Sequence, residues 1–216
     1  MLKTRHILFI FLPAVIIAAF ALFIRLLQYE PLFPKEDNTV AEEPQALQIP
    51  IFPDDPILGD KKAGVTLIAF EDLGCAGCAE QHAVFQDLLE KYPKKLKIIW
   101  KPLPVTIIPY PSGRAHEYAY CANKQDSFGE FISLVFANQI DISPDALNAS
   151  ANEAGLDPED LKTCLESGEA AAYTKMTEEL GRALNIQSVP TIFLENIQID
   201  HPRTIEGWET LLQLTQ

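Results

Sequence analysis

The eight residues Leu73-Gly-Cys75-Ala-Gly-Cys78-Ala-Glu80 constrain most strongly what this chain can fold into. They follow an apolar run at 65–70 that reads as a short, fully buried strand. They precede a helical pattern in which Phe85, Leu88, Leu89 and Tyr92 recur on one face until Pro93 stops it. Two cysteines two residues apart therefore sit where a strand turns into a helix. At that place free backbone N–H groups and the positive end of the helix dipole stabilise a thiolate at Cys75. Cys78 lies one turn inward and can close a disulfide ring with it. Strand, cysteine pair and helix N-terminus together make a redox site.

Other uses of such a pair fit less well. A structural zinc site needs two more ligands. His82, four residues after Cys78, is a candidate for one of them, against the plainer reading of a solvated or packed helix residue. Inert buried cysteines leave Gly74 and Gly77 unexplained. A plain structural disulfide across so short a loop adds little chain-entropy stabilisation and suits reversible opening better.

A length of 216 residues allows one domain of ordinary size plus extras. Lys3 and Arg5 precede an uncharged apolar run at 7–24, which has the length of one membrane-spanning helix and exceeds the apolar core of a cleaved signal peptide. No Ala-x-Ala type site and no lipobox cysteine follows it, and a membrane helix tolerates Pro13. The expectation is an uncleaved signal-anchor over residues 1–28, single-pass in the cell membrane, with the N-terminus cytoplasmic and the body extracytoplasmic. Cleavage is the alternative. Residues 29–56 carry Pro31, Pro34, Pro44, Pro50, Pro53 and Pro56 among acidic residues and read as an extended, semi-rigid linker. A formal net charge of −13 argues against nucleic acid or anionic lipid as the body's partner. Four cysteines in an exported chain are compatible with two disulfides in an oxidising compartment.

The body, 57–216, continues after the cysteine helix with a strand at 96–101 and a helix at about 113–123 that carries Cys121. Ser127-Phe-Gly-Glu130 has the spacing of a capping box, followed on one face by Phe128, Phe131, Ile132 and Val135. Ser143-Pro144 and Asp157-Pro158 open two further helices, each with an apolar staple, and the second carries Cys164. Residues 168–184 keep the helical pattern. Residues 191–194 and 198–199 read as a hairpin across 195–197, and a last helix at about 204–214 buries Ile205, Trp208 and Leu211 or Leu212. The order is β-α-β, a block of helices, then β-β-α. Asn148-Ala-Ser150 matches a glycosylation acceptor, which we read as a chance match on a helix.

In this order the residues resemble the DsbA-like thiol–disulfide oxidoreductases of the thioredoxin superfamily, over roughly residues 54–214. The resemblance rests on Phe70-Glu-Asp72, Cys75-Ala-Gly-Cys78, Lys101-Pro-Leu-Pro104 and Cys121-Ala with Phe128-Gly-Glu-Phe131. It rests equally on Leu134-Val-Phe-Ala-Asn-Gln139, Ala154-Gly-Leu-Asp157 with Cys164-Leu, and Ile186-Gln-Ser-Val-Pro190-Thr-Ile-Phe193. It implies an α/β class, a thioredoxin fold with a helical insertion at about 105–185. It implies Cys75 as nucleophile, Cys78 as resolving thiol, and Val189, a cis Pro190 and Thr191 aligning substrate beside Cys75. Exported proteins with free thiols or disulfides are the implied substrates, a quinone-linked membrane oxidase the implied partner, and neither organic cofactor nor metal is required. With the local pair taken, three possible pairings reduce to a structural disulfide between Cys121 and Cys164, against two free buried thiols.

Two departures from the family pattern stand out. Members often carry an acid six positions before the first cysteine to move the proton of the second; here Ala69 stands there, and Glu71 and Asp72 are expected to point elsewhere. Ala76-Gly77 also lacks the imidazole of the strongest oxidants, and Glu71, Asp72 and Glu80 would push a nearby Cys75 thiol upward. The expectation is a milder oxidant. The alternatives are a reductase or isomerase fed by a membrane electron donor, a copper- or zinc-binding module using Cys75, Cys78 and His82, and a non-catalytic substrate-holding domain.

Overall fold

The computed structural model describes residues 4–27, 48–138 and 141–215. The chain divides into two units, Met1–Ala46 and Leu47–Gln216. The first contains helix α1 (Thr4–Leu27), with Pro13 inside it and Arg25 in its last turn. Among the described residues no helix is long and apolar enough to cross a membrane. The side chains described on α1 are Pro13 and those of 15–25, fewer than the ~20 of a span. The side chains of seven of the eighteen residues of the anchor expected over 7–24 lie outside them, and residues 29–47 of the expected linker lie outside the described residues.

The second unit is built on a five-stranded sheet of β1 (Ile57–Gly59), β2 (Val65–Glu71), β3 (Leu96–Pro102), β4 (Thr191–Leu194) and β5 (Ile197–Ile199), in the order β1-β3-β2-β4-β5. β2 and β3 are parallel, registered from Val65↔Leu96 to Glu71↔Pro102, and a parallel pair needs a crossover, here α2 (Ala76–Lys91). The other pairings are antiparallel. Helices α3 (Gly113–Lys124), α4 (Phe128–Ala137), α5 (Pro144–Glu153), α6 (Pro158–Ser167) and α7 (Glu169–Ala183) come between β3 and β4, and α8 (Ile205–Leu212) follows β5.

Side chains alternate across the sheet. Leu67, Ala69 and Ile98 pack with Phe85 and Leu88 of α2 and Trp208 of α8. Ile68, Phe70, Ile99 and Phe193 face the other way, against Leu180 of α7 and Leu184. Trp100 reaches from the α2 face into the helical block, where it meets Tyr118, Phe128, Phe131 and Ile132. The structure joins Cys121 on α3 to Cys164 on α6, 43 residues apart. A loop of that size contributes at most ~4 kcal/mol in the chain-entropy account.

Helix starts follow their local chemistry. Ser143 Oγ accepts from Ala146 N at 3.3 Å, and Asp157 Oδ1 accepts from Glu159 N and Asp160 N at 2.9 and 3.0 Å. A Pro follows each cap, where its missing N–H costs nothing. Ser127 departs from this. Its backbone (φ −111°, ψ 17°) is not extended, so its hydroxyl caps no helix N–H and donates back to Gln125 O.

Three further expectations are corrected. β1 escaped the sequence reading because three residues after a proline carry no period. The hairpin turn is Glu195-Asn196 alone, both left-handed (φ 50° and 67°), the two-residue geometry that matches strand twist, so Ile197 belongs to β5. Residues 48–56, expected as linker, are not. Ile49 is buried and Asp55 forms a buried ion pair with Lys101, so at least 48–56 belong to the folded body. In α8 it is Leu212 that is buried while Leu211 is exposed.

Candidate active site

Cys75 is the N-cap of α2, with extended backbone (φ −102°, ψ 121°), and its Sγ accepts from Cys78 N at 3.3 Å. It is half-buried, whereas Cys78 is fully buried, and both are free thiols. Hydrogen bonding from the Cys78 thiol lowers Cys75 from 9.0 to about 7. Partial burial opposes this, the Cys78 and Gly77 N–H groups assist, and the Asp72 charge opposes weakly. Cys78 moves the other way. Burial, its hydrogen bond to Cys75 and the nearby Glu71 charge push it far up. One thiol of the pair is thus poised to ionise near neutrality and the other is held protonated.

Across from the pair, the Val189–Pro190 peptide is cis, and Cys75 Sγ–H donates to Val189 O at 3.7 Å. A Cβ at Gly77 would lie 3.6 Å from Pro190 Cδ and 3.9 Å from Cys75 Sγ, so these loops face one another closely. A groove of about 260 Å³ runs past Gly77, Val84, Val189, Pro190, His201 and Arg203. Thr191 does not line it. Thr191 is buried and its hydroxyl donates to Ser188 O at 2.7 Å, so it shapes the proline loop from behind.

Asp72 fixes the approach to the cysteines. Its Oδ1 accepts from Gly74 N and from His116 Nε2, each at 3.0 Å, and its Oδ2 accepts from Val105 N at 2.9 Å and Thr106 N at 2.7 Å. Burial alone would raise this carboxyl; the hydrogen bond and charge of His116, with the Gly74 N–H, win and hold it well below the usual carboxylate range. The knot ties the cysteine loop to α3 and to the 103–112 loop. There is no room for a side chain at Gly74, where a Cβ would meet Thr106 Cβ at 2.6 Å. The same loop presents Val105, Ile107, Ile108 and Tyr110 to solvent, with a second cis peptide at Ile108–Pro109.

Of the two neighbouring acids, Glu71 does not point away from the pair, contrary to expectation, whereas the Asp72 carboxylate turns to His116 and the 103–112 loop as expected. Glu71 is fully buried, its Oε2 accepts from Trp100 Nε1 at 2.8 Å, and it interacts with both thiols. Nor is Cys75 driven upward by its acidic surroundings, since local hydrogen bonds outweigh them. His82 is packed in the core. Its Nε2 lies 3.1 Å from Ser133 Oγ and its ring 4.9 Å from that of Phe136, and burial lowers it to about 4. Among the described residues no three His, Cys, Asp or Glu side chains are arranged to hold a metal ion. Sequence reasoning missed the Asp72–His116 knot and the groove residues His201 and Arg203. The spacing of Asp72 to Cys75 is the one signal that pointed there.

A family model described as thioredoxin matches residues 52–213. Among curated proteins, the chain is 26% identical over 162 residues to Na(+)/H(+) antiporter NhaA 3 of Salinispora tropica, covering 74% of this chain and 25% of that protein. It spans about a quarter of the length of the first three curated relatives it matches, all named as such antiporters. It is also 25% identical over 154 residues to disulfide bond formation protein D of Bacillus subtilis, covering 65% of this chain and 68% of that one. Among solved structures, oxidised BdbD from Bacillus subtilis superimposes with a TM-score of 0.66 at 23% identity, covering 76% of this chain and 94% of that one.

Proposed function

This chain belongs to the thioredoxin family, and from its cysteine geometry we propose that it is a thiol–disulfide oxidoreductase acting on exported proteins. The single observation that carries the reading is the split pair. A half-buried Cys75 at the N-cap of α2 titrates near 7 beside a fully buried Cys78 held protonated, facing a cis Val189–Pro190 peptide. The likeness to a protein named for disulfide bond formation supports it.

In the oxidising direction a substrate thiolate attacks Cys75 of the Cys75–Cys78 disulfide. The S–S bond breaks, Cys78 leaves with the electron pair, and a mixed disulfide joins substrate to Cys75. A second substrate thiolate then attacks the substrate sulfur, Cys75 leaves as a stabilised thiolate, and the substrate carries the new disulfide. Val189 and Pro190 align the substrate backbone, while Val105, Ile107, Ile108 and Tyr110 offer contact to apolar stretches of an unfolded chain. A membrane quinone-linked oxidase restores the disulfide. The N-terminal segment anchors the chain, with the body extracytoplasmic, as the apolar run at 7–24 suggests.

The opposite direction, reduction or isomerisation fed by a membrane donor, is favoured by one observation. Cys75 is lowered only to about 7, whereas the strongest oxidants hold theirs at roughly 3.5. A less stabilised thiolate makes the disulfide less oxidising. Incubating the full chain with insulin and, separately, with a reduced unfolded protein decides the direction. Faster disulfide formation in the reduced substrate supports the oxidant. Insulin reduction alone reverses the direction, and activity in neither assay removes the function. Cys78→Ser should trap mixed disulfides through Cys75.

A further inference from the structure

One face of α2 walls the groove beside Cys75. Gly77, Gln81 and Val84 recur there at i, i+4 and i+7, and the exposed carboxylate of Glu80 stands among them. The Val189-Pro190 loop lies between this wall and a second one, which carries His201 and Arg203. His201 and Pro190 also border a neighbouring hollow with Gln198 and Asp200.

The second wall is neither helix nor strand, yet it is fixed to α2 and α8. Oriented to satisfy both neighbours, the buried Gln81 amide donates to Pro202 O at 3.2 Å and accepts from Trp208 Nε1 at 3.1 Å. Pro202 packs so close to Gly207 that a Cβ there would meet Pro202 Cβ at 2.6 Å. Thr204 Oγ1 accepts from Gly207 N at 3.2 Å and caps α8. The helix that carries the cysteine pair thus holds, through Gln81, the segment that carries His201 and Arg203. A wall set in advance loses little freedom when a ligand meets it.

Arg203 is exposed and, among the described residues, forms no ion pair. In a chain of net charge −13, a cation so placed beside the reactive cysteine opposes the prevailing field. Burial holds His201 below its ordinary 6.5, with the Asp200 charge opposing and Arg203 assisting, so at pH 7 the charge of this wall is that of Arg203.

We propose that Arg203 is a specificity-determining residue, selecting exchange partners that carry a carboxylate side chain within two residues of their reacting cysteine. The inference rests on the exchange reading above and adds a substrate preference to it. An extended peptide advances about 3.3 Å per residue, so the residues flanking its cysteine are those that can lie along a groove of about 260 Å³. A guanidinium meets a carboxylate with two parallel hydrogen bonds, which a lysine or an amide side chain cannot receive as well. Glu80 on the facing wall repels the same carboxylate, which makes the preference positional rather than general.

The test uses short single-cysteine peptides activated as 2-thiopyridyl disulfides, with Glu, Gln or Lys placed one or two positions to either side of the cysteine. Cys75 of the reduced full chain bonds to the peptide sulfur, the bond to 2-thiopyridine breaks, and the coloured thione reports the rate. Each rate is divided by that with dithiothreitol, so that peptide reactivity cancels. At one flanking position Glu should outpace Gln about threefold and Lys should trail Gln by a similar factor. Arg203→Gln should level this order and Arg203→Glu reverse it. Lys62→Gln removes one positive charge from an exposed site before β2, at the opposite end of that strand from the cysteines, and should leave the order intact. In wild type, salt raised to about 0.5 M should erode the preference, which tests the claim without any variant. The same order in Arg203→Gln as in wild type overturns the role of Arg203, as does the absence of any charge preference. A preference for Lys at every position, unmoved by Arg203→Gln, reflects only the net charge and overturns it too. A chain that exchanges with neither the peptides nor dithiothreitol overturns the exchange reading and this one with it.

Discussion

The two faces of the sheet bury titratable groups at adjacent strand positions, Lys101 under α7 and Glu71 under α2, and partner them differently. Lys101 Nζ binds the Asp55 carboxylate, donates to Pro50 O at 2.8 Å and lies 4.0 Å from the Phe52 ring centroid. Asp55 in turn accepts from Tyr173 OH at 2.7 Å and Phe52 N at 2.6 Å. Among the described residues Glu71 has one donor, Trp100, and its Oε1 has no hydrogen-bond partner. Buried charge whose every valence is met acts as a clamp, here closing residues 48–56 over the sheet. A buried carboxyl left short of partners keeps its proton up to about pH 8, and that is where chemistry becomes possible.

The largest effect that could break this contrast lies in the clamp. Lys101→Ala or Asp55→Ala leaves the other charge stranded and should cost about 3–5 kcal/mol in denaturant unfolding, while Cys75 still titrates near 7. A loss under about 1 kcal/mol would show that the pair is not a clamp at all.

The second effect sharpens the contrast through pH. Glu71 is raised from 4.5 to about 8, so its protonated form stabilises the fold fully below about 4.5, and that contribution is lost as pH rises to about 8. Glu71→Gln should lack this loss. Across that window its stability should pull ahead of wild type by up to about 1.4 kcal/mol per pH unit in urea titrations. Parallel curves would place the carboxyl in an ordinary, solvated setting.

A smaller effect concerns the knot between the faces. Gly74→Ala drives a methyl group into Thr106 and should cost about 1–3 kcal/mol, partly recovered in the double variant with Thr106→Ser. Equal losses in the single and double variants would mean that the crowding is relieved elsewhere.

The clamp and the carboxyl also mark where the sequence was hard to read. The strand–cysteine–helix unit and the proline-led starts of α5 and α6 are local signals, each written within a few residues. So is Val189-Pro190-Thr191, although it took the fold to turn Thr191 inward. Asp55, Lys101, Glu71 and Asp72 are charged residues, whose default is the surface, and no local period says otherwise. Their burial depends on partners 46 residues away for Asp55–Lys101 and 44 for Asp72–His116. Proline-rich 48–56 looked like linker for the same reason: its anchor is a lysine on a distant strand. The three-residue β1 is set by its pairing with β3, which lies wholly outside its own sequence.

The claim on which the rest stands is that the two thiols differ, Cys75 poised and Cys78 sealed. Alkylation of the fully reduced chain with iodoacetamide from pH 5 to pH 10, read by peptide mass for each cysteine, measures it directly. The account predicts that Cys75 reacts with an apparent pKa of about 7 while Cys78 stays unmodified in the folded chain. Modification of Cys78 first, or a Cys75 curve centred at its ordinary 9.0, would contradict it.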